Sequence, residues 1–504
     1  MPIDTGREED PIVSTAVPHE HSHRRAHPMV APLIVLTFAI ATALLTPRGP
    51  VTSAQAVATL VAAALVGAAI GYVSATKWNY VIMPAVYIAV FELVRIGQAG
   101  ATVDAPALDS MLGWIAFITG RVLPGIFVIA PMLLSMPAGR LISRVRSDSQ
   151  ADTSRRAFIA SGGGIVAVLA LLVVTAMPAH TDAIVDSEGQ PSPEAVAELT
   201  TVRIGEHEHS VMIRGEDTTN PVLLYIAGGP GGTDIGAVRA DERLEEDFTV
   251  VTWEQRGAGK SYAQIDPLDT FTLEAFVNDI DGLSAHLRDR FDEDKIYLSG
   301  NSWGTTLAVL AAQRSPEQFH AYIGSGQMVS QRASDIMFWE DTLEWARSEG
   351  NDALVTTLEG NGPPPYTDVN KYGHVVSYEH QWNPYPEFDP GTEMPAILFV
   401  PEYSLMDRIN AFRGFLDTSY TLYPQLQGID FRQDVPALQV PVYVVMGEHE
   451  ARGREVLAKE WFESLRAPHK ELLVFEGTGH RPLFEAPDEY AALLSRIKEE
   501  TYPS

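Results

Sequence analysis

The chain has 504 residues, more than one hydrophobic core usually organises, so two or more structural units are expected. Its formal net charge is −29, and residues 201–504 hold most of it, with 24 Lys+Arg against 50 Asp+Glu, a field whose sign argues against nucleic acid as a partner. It has no cysteine, which excludes disulfides, thiolate metal sites and cysteine nucleophiles together.

Residues 1–28 are polar and rich in Pro and charge, and read as a disordered cytoplasmic tail. His19, His21, His23 and His27 lie close together there, but a flexible tail would have to be ordered to hold a metal, and no metal site is assigned to it. Five hydrophobic stretches follow, near residues 29–46, 53–75, 78–97, 110–136 and 157–178. Each is close to the ~20 residues that cross a bilayer, so 29–178 reads as an all-α transmembrane bundle of about five helices. Arg24 and Arg25 precede the first stretch, Lys77 separates the second from the third, and Arg140, Arg144, Arg146, Arg155 and Arg156 crowd between the fourth and fifth. With the N-terminus inside, all three groups fall on the cytoplasmic face, and the outer loops carry only Arg48 on one and Asp104 and Asp109 on the other. Arg95 runs against this trend. The segment after residue 178 is then outside the cytoplasm.

Ser154-Arg155-Arg156-Ala157-Phe158-Ile159 resembles a twin-arginine export signal and reads equally well as the basic flank of the fifth span. Glu92 and Arg121 lie inside spans, where isolated charges are costly; a mutual structural pair is the simpler expectation, a substrate or proton pathway the other. Pro124 and Pro131 should bend the fourth span.

A polar linker, 179–200, leads to residues 201–504, where short apolar runs alternate with helix-like ones in the pattern of a doubly wound α/β sheet. Candidate strands are Val222–Ile226, Phe248–Trp253, Ile296–Leu298, Ala321–Ile323, Val440–Met446 and Glu471–Phe475. Reactive groups in such sheets collect at the carboxyl ends of the strands. Behind Ile296–Leu298 stands Gly300-Asn301-Ser302-Trp303-Gly304, a G-x-S-x-G between strand and helix that would hold the Ser302 hydroxyl exposed on a sharp turn. After Ile226 comes Ala227-Gly228-Gly229-Pro230-Gly231-Gly232, whose missing side chains let backbone N–H groups approach a substrate oxygen. Gly229 and Trp303 are the expected oxyanion donors. Strand Val440–Met446 ends in Gly447-Glu448-His449-Glu450, where Glu450 is the expected acid, Glu448 points to solvent, and Arg452 could pair with either. His480, on the small-residue loop after the last strand, is the expected base, and the order Ser302, Glu450, His480 is that of a serine hydrolase on this sheet. This chemistry needs no metal or organic cofactor.

Gly228-Gly229-Pro230-Gly231-Gly232, Glu254-Gln255-Arg256-Gly257-Ala258-Gly259-Lys260-Ser261, Gly300-Asn301-Ser302-Trp303-Gly304 and Gly479-His480 together resemble α/β-hydrolases of the proline iminopeptidase family over roughly residues 200–500. The resemblance implies an α/β-hydrolase fold with a helical cap, here about 327–439, and removal of N-terminal residues, notably proline, from short peptides. It also implies a bracing role for Gln255-Arg256-Gly257. Two positions depart from the family: Ala227 stands where a histidine commonly opens the loop, and Glu450 where the acid is commonly aspartate. The cap aromatics Phe338, Trp339, Trp345, Tyr378, Trp382, Tyr385, Tyr403, Phe412, Phe415 and Tyr420 could line an apolar or prolyl pocket or form the cap's own core, and Glu340, Asp341, Glu344 or Glu402 could hold a substrate amino group. The whole reads as a membrane-anchored, extracytoplasmic serine hydrolase, an aminopeptidase on short peptides. The alternatives are an esterase or amidase of the same fold, or a transporter or sensor whose hydrolase domain is a binding module.

Overall fold

A computed structural model describes residues 29–503, apart from 75, 99, 101, 104–107, 109, 147–154, 367 and 387–396. The tail with its four histidines and Arg24 and Arg25, the loop acids Asp104 and Asp109, and Ser154 lie outside the described residues.

Each of the five apolar stretches is helical. They form α1 (Val30–Leu45), α2 (Ser53–Val73), α3 (Asn79–Arg95), α4 (Met111–Phe117) running through a π-helical turn at Ile118–Val122 into α5 (Leu123–Arg146), and α6 (Arg155–Ala176). Three of these, Ser53–Val73, the continuous Met111–Arg146 and Arg155–Ala176, are long and apolar enough to cross a membrane, while α1 and α3 have 16 and 17 residues. The wide turn has a local cause. Pro124 has no N–H to donate, and the Leu123 N–H bonds back to the Ile118 carbonyl instead of continuing the α ladder. Small residues let the helices approach closely: a Cβ on Gly71 of α2 would strike the Met136 carbonyl of α5, and one on Gly139 of α5 the Ala68 carbonyl of α2. Glu92 of α3 and Arg121 of the π turn form an ion pair, the structural alternative of the two that their sequence positions left open.

The two ends of this helical region differ. At one, Arg140 donates to the Thr76 carbonyl and stacks 4.8 Å over the Tyr80 ring. The other end carries the loops after α1 and α3 and meets the C-terminal domain: Asn410 Nδ2 donates to the Val51 carbonyl at 3.1 Å, the Val103 N–H donates to Asp417 at 2.7 Å, and Ser110 bonds Asn370 at 3.2 Å.

The C-terminal domain is built on an eight-stranded sheet: β1 (Val196–Ile204), β2 (His207–Gly215), β3 (Val222–Ile226), β4 (Thr249–Trp253), β5 (Ile296–Asn301), β6 (Phe319–Ser325), β7 (Val442–Gly447) and β8 (Lys470–Phe475), in the order β1-β2-β4-β3-β5-β6-β7-β8. From β4 to β8 all neighbours are parallel, and β1–β2 and β2–β4 are antiparallel. The interior strands β3 to β7 are buried along their whole length, in keeping with their largely apolar sequence. One face packs helices α7 (Leu273–Phe291) and α8 (Trp303–Arg314), and the other the C-terminal helix Pro487–Thr501.

Strand β1 begins at Val196, inside the stretch read as linker, and the β1–β2 hairpin is missing from the sequence-based strands. Its outer strand is largely half-exposed and mixes Thr, Glu and Arg with Val, Leu and Ile, so it lacks the apolar run that marks the interior strands. The residues before it are also held: the His180 N–H donates to the Pro401 carbonyl at 3.0 Å, and Arg214 donates to the Asp182 carbonyl at 2.6 Å.

Between β6 and β7 the chain forms a helical insertion whose main helices are α9 (Gln331–Ser348), α10 (Asp352–Asn361), α11 (Val369–Val376) and α12 (Leu405–Leu426). The helix after β7 is α13 (Arg452–Ser464). Gly71→Val is expected to destabilise the protein by about 1–3 kcal/mol through overpacking against α5. Gly162→Val, where a Cβ meets nothing within 4 Å, should leave it unchanged. Thermal unfolding in detergent checks the contrast, and equal melting of the two variants would contradict the packing described.

Candidate active site

Ser302 sits where β5 turns into α8. Its backbone adopts φ 50°, ψ −121°, a region L residues avoid, and is held there by two bonds: its N–H donates to the Ser325 carbonyl at 2.9 Å, and its carbonyl accepts the Thr305 N–H at 2.8 Å. A side chain at Gly304 would run into the Ile226 carbonyl of β3, so the elbow can lie against the strand only with glycine at that position.

His480 lies on the loop after β8, with Nε2 2.8 Å from Ser302 Oγ and Nδ1 2.8 Å from Glu450 Oε2. With its proton on Nδ1, the ring donates to Glu450 and accepts the serine hydroxyl. The structure thus brings together, in one hydrogen-bonded line, three residues separated by 148 and 30 positions in the sequence.

Glu450 follows β7 and is buried. Its second oxygen accepts the Arg454 Nε–H at 2.7 Å and the Ala451 N–H at 2.9 Å. Burial would raise the carboxyl's pKa, but the positive charges of Arg454 and His480 and their hydrogen bonds outweigh it and hold the group at about 2. Arg454 reaches on to Glu379 of the insertion and lies 4.7 Å over the Phe338 ring. This corrects the assignment of the neighbouring arginine. Arg452 does not touch Glu450; it pairs with Asp341 at 2.8 Å and Glu340 at 3.0 Å on α9. Arg454 is the partner because it lies one helical turn beyond Glu450, on the face of α13 turned inward, and the (i, i+4) spacing is the signal that could have found it. Glu448 is half-exposed, and its carboxylate accepts the Gly477 N–H at 2.9 Å.

The glycine loop after β3 passes beside the serine. A Cβ on Gly228 would lie 3.3 Å from Ser302 Cβ, and Gly229 adopts φ 138°, open only to glycine. Among the described residues neither the Gly229 nor the Trp303 N–H has a hydrogen-bond acceptor, so both remain available to a substrate oxygen. Gln255 ties the two sides together, accepting the Trp303 indole N–H at 2.8 Å and donating to the Ala227 carbonyl at 2.8 Å. Its neighbour Arg256 makes a two-pronged bond to buried Asp279, 2.6 Å on each oxygen. The Gln-Arg-Gly turn therefore braces the site and does not enter it.

Most of the insertion's aromatics are spoken for elsewhere. Phe338, Trp339, Trp345, Tyr378, Trp382 and Tyr420 pack into the insertion's own core, and Tyr403 belongs to the cluster under the sheet. Tyr385 reaches the loops at the site: it lies parallel to His449 at 6.1 Å, donates to Glu485 at 2.9 Å, and occupies the space a Cβ on Gly479 would need, while Phe415 lies beside Gly231 of the glycine loop. Of the candidate amino-group carboxylates, Glu340 and Asp341 are taken by Arg452, Glu402 is buried against Arg239 and Thr181, and Glu344 is exposed.

The fold and these motifs define an α/β-hydrolase domain, and the family described as alpha/beta hydrolase fold matches residues 221–354. The chain is 29% identical over 310 residues to a probable aminopeptidase, YbaC, of Bacillus subtilis, covering 61% of this chain and 98% of that one. It is 25% identical over 299 residues to the proline iminopeptidase of Lactobacillus helveticus, covering 57% of this chain and 93% of the other. Among solved structures it is similar to the proline iminopeptidase of Mycobacterium smegmatis, at 18% identity and TM-score 0.46, over 60% of this chain and 98% of that one. The C-terminal part of the chain is thus an α/β-hydrolase domain with proline iminopeptidase-like relatives.

Because the Glu450 carboxyl is held at about 2, below the 4.5 of an unpaired glutamate, its pairing stabilises the fold above about pH 4.5, and that contribution is lost as pH falls towards 2. Arg454→Met leaves two buried carboxylates without their cation and should cost about 3–5 kcal/mol at neutral pH. The deficit relative to the parent should narrow as pH drops from about 4.5 to about 2. Denaturant titrations at several pH values check this, and a deficit independent of pH would contradict the assigned pairing.

Proposed function

We propose that the chain is a membrane-anchored serine hydrolase whose hydrolase domain works outside the cytoplasm, an aminopeptidase on short peptides through Ser302, His480 and Glu450. The observation that carries this reading is the unbroken line from Ser302 Oγ through both His480 nitrogens to a buried, ionised Glu450, each step 2.8 Å. In the proposed mechanism His480 Nε2 takes the proton of Ser302 as its oxygen attacks the carbonyl carbon of the scissile bond, and Glu450 stabilises the imidazolium. The N–H groups of Gly229 and Trp303 receive the oxyanion. His480 then protonates the leaving amine, and water repeats the sequence on the acyl-serine to release the acid.

The peptidase assignment draws on the relatives named aminopeptidase and proline iminopeptidase. An esterase or amidase of the same fold is the rival, favoured by Ala227 at a position where the iminopeptidase loop commonly begins with histidine. A transporter or sensor that uses the domain only to bind has no need of a serine, an ionised acid, a base and two free donors at one point.

Five spans are proposed for α1, α2, α3, the continuous α4–α5 and α6, embedded in the lipid bilayer. Lys77, Arg140, Arg144, Arg146, Arg155 and Arg156 lie in the loops and helix ends away from the hydrolase domain, and the loops that meet that domain carry few basic residues. That asymmetry supports a cytoplasmic N-terminus and an outward domain.

Aminoacyl and prolyl p-nitroanilides should be cleaved by the purified full chain, their N-acetylated forms should not, and Ser302→Ala should abolish turnover. Cleavage of short-chain esters alone would leave the esterase reading, and cleavage of neither would remove the hydrolase proposal. Glu450→Gln should lower kcat by about 10⁴-fold, the scale set by losing the orienting acid of such a site. A reporter fused after residue 190 that is active in the cytoplasm would overturn the topology.

A further inference from the structure

A cavity lies away from Ser302, where the apolar helices meet the insertion. It has a volume of about 450 Å³ and is walled by the start of α2, the end of α3, the π turn and first half of α5, and one side of α12. Its walls are mainly apolar, with Ile88, Phe91 and Phe127 from the helical region and Met406 and Ile409 from α12. The exception on α12 is Arg413.

Arg413 is 5% exposed, and among the described residues its guanidinium has no hydrogen bond and no ion pair; its Nε is buried without an acceptor. The Tyr262 ring lies 5.8 Å away. The nearest acid along the helix, Asp417, offsets part of the guanidinium charge but gives Arg413 no hydrogen bond, its oxygens accepting the Tyr262 hydroxyl and the Val103 N–H. The acid that lines the cavity, Glu92, is paired with Arg121. A buried guanidinium whose N–H groups have no acceptor is costly, so its presence beside an apolar slot calls for an acceptor supplied from outside the chain.

We propose that this cavity binds a single-chain anionic amphiphile, a long-chain fatty acid, with its carboxylate against Arg413 and its chain between α2, α3 and α5. The volume suits one chain. At about 450 Å³ the cavity lies within the ~300–1,000 Å³ range of sites that take one small ligand. The inference rests on the membrane-anchored reading, in which the surrounding lipid is the source of such a ligand. The same helix carries the consequence towards Ser302: beyond Arg413, the Thr418 and Ser419 hydroxyls of α12 donate to the carbonyls of Gly257 at 3.0 Å and Pro230 at 2.9 Å, in the two loops beside the serine.

The test uses the full chain in phosphatidylcholine nanodiscs, with binding of palmitate and of methyl palmitate measured above their partition into empty discs. Palmitate should bind saturably and at least tenfold more tightly than its ester. Gly125→Phe, which fills the cavity from a position where a Cβ meets nothing within 4 Å, should abolish saturable binding, as should Ile409→Trp. Arg413→Gln should erase the preference for acid over ester, and Arg413→Lys should retain part of it. Thermal unfolding of each variant reports whether it is folded. Equal affinity for acid and ester in the parent chain, or undiminished binding in both filled variants, would overturn the proposal. So would tight retention of phosphatidylglycerol that palmitate cannot displace, because the occupant would then be a two-chain lipid.

Discussion

The buried carboxylate of Glu450, held between the imidazole of His480 and the guanidinium of Arg454, is the interaction on which the rest of the site depends. A carboxylate removed from water is stable as an anion only if its charge is met. Here the Arg454 guanidinium and the hydrogen bond from His480 more than offset burial and hold it ionised far below neutrality. The anion in turn fixes which His480 nitrogen carries the proton, and so leaves the other facing Ser302. Arg454 extends the same network to Glu379, so the insertion between β6 and β7 takes part in holding the acid.

The opposite side of the serine is built by a separate network with the same logic. Gln255 spans the gap between the elbow and the glycine loop, satisfying the Trp303 indole and the Ala227 carbonyl at once. Arg256 locks that turn to α7 through Asp279, and Glu254 accepts the Lys260 N–H and the hydroxyls of Thr233 and Tyr403. Buried polar groups of this kind are costly unless each is satisfied, and a satisfied set specifies one geometry. The strain at Ser302 persists because the surrounding bonds determine it from both sides.

What could be read in the sequence was what is local. The interior strands announce themselves as apolar runs because both their faces are covered, and the elbow, the glycine loop and the His480 loop sit at strand ends, where the fold concentrates function. The five apolar stretches of the N-terminal third likewise become helices because length and hydropathy are properties of a single segment. The β1–β2 hairpin escaped because its outer strand mixes polar and apolar residues. Arg454 escaped in favour of Arg452 because the choice depends on which face of α13 turns inward, which the sheet and insertion decide. The contacts of Val51 and Val103 with α12 join residues more than 300 positions apart and left no local mark.

The role of Ser302 is tested most directly by the site of covalent capture by an organophosphonate that mimics the tetrahedral intermediate, mapped by mass spectrometry on the full-length protein. A single adduct on Ser302 is expected, lost in His480→Ala and strongly slowed in Glu450→Gln. An adduct on another residue, or one on Ser302 that forms at the same rate without His480, would contradict that role.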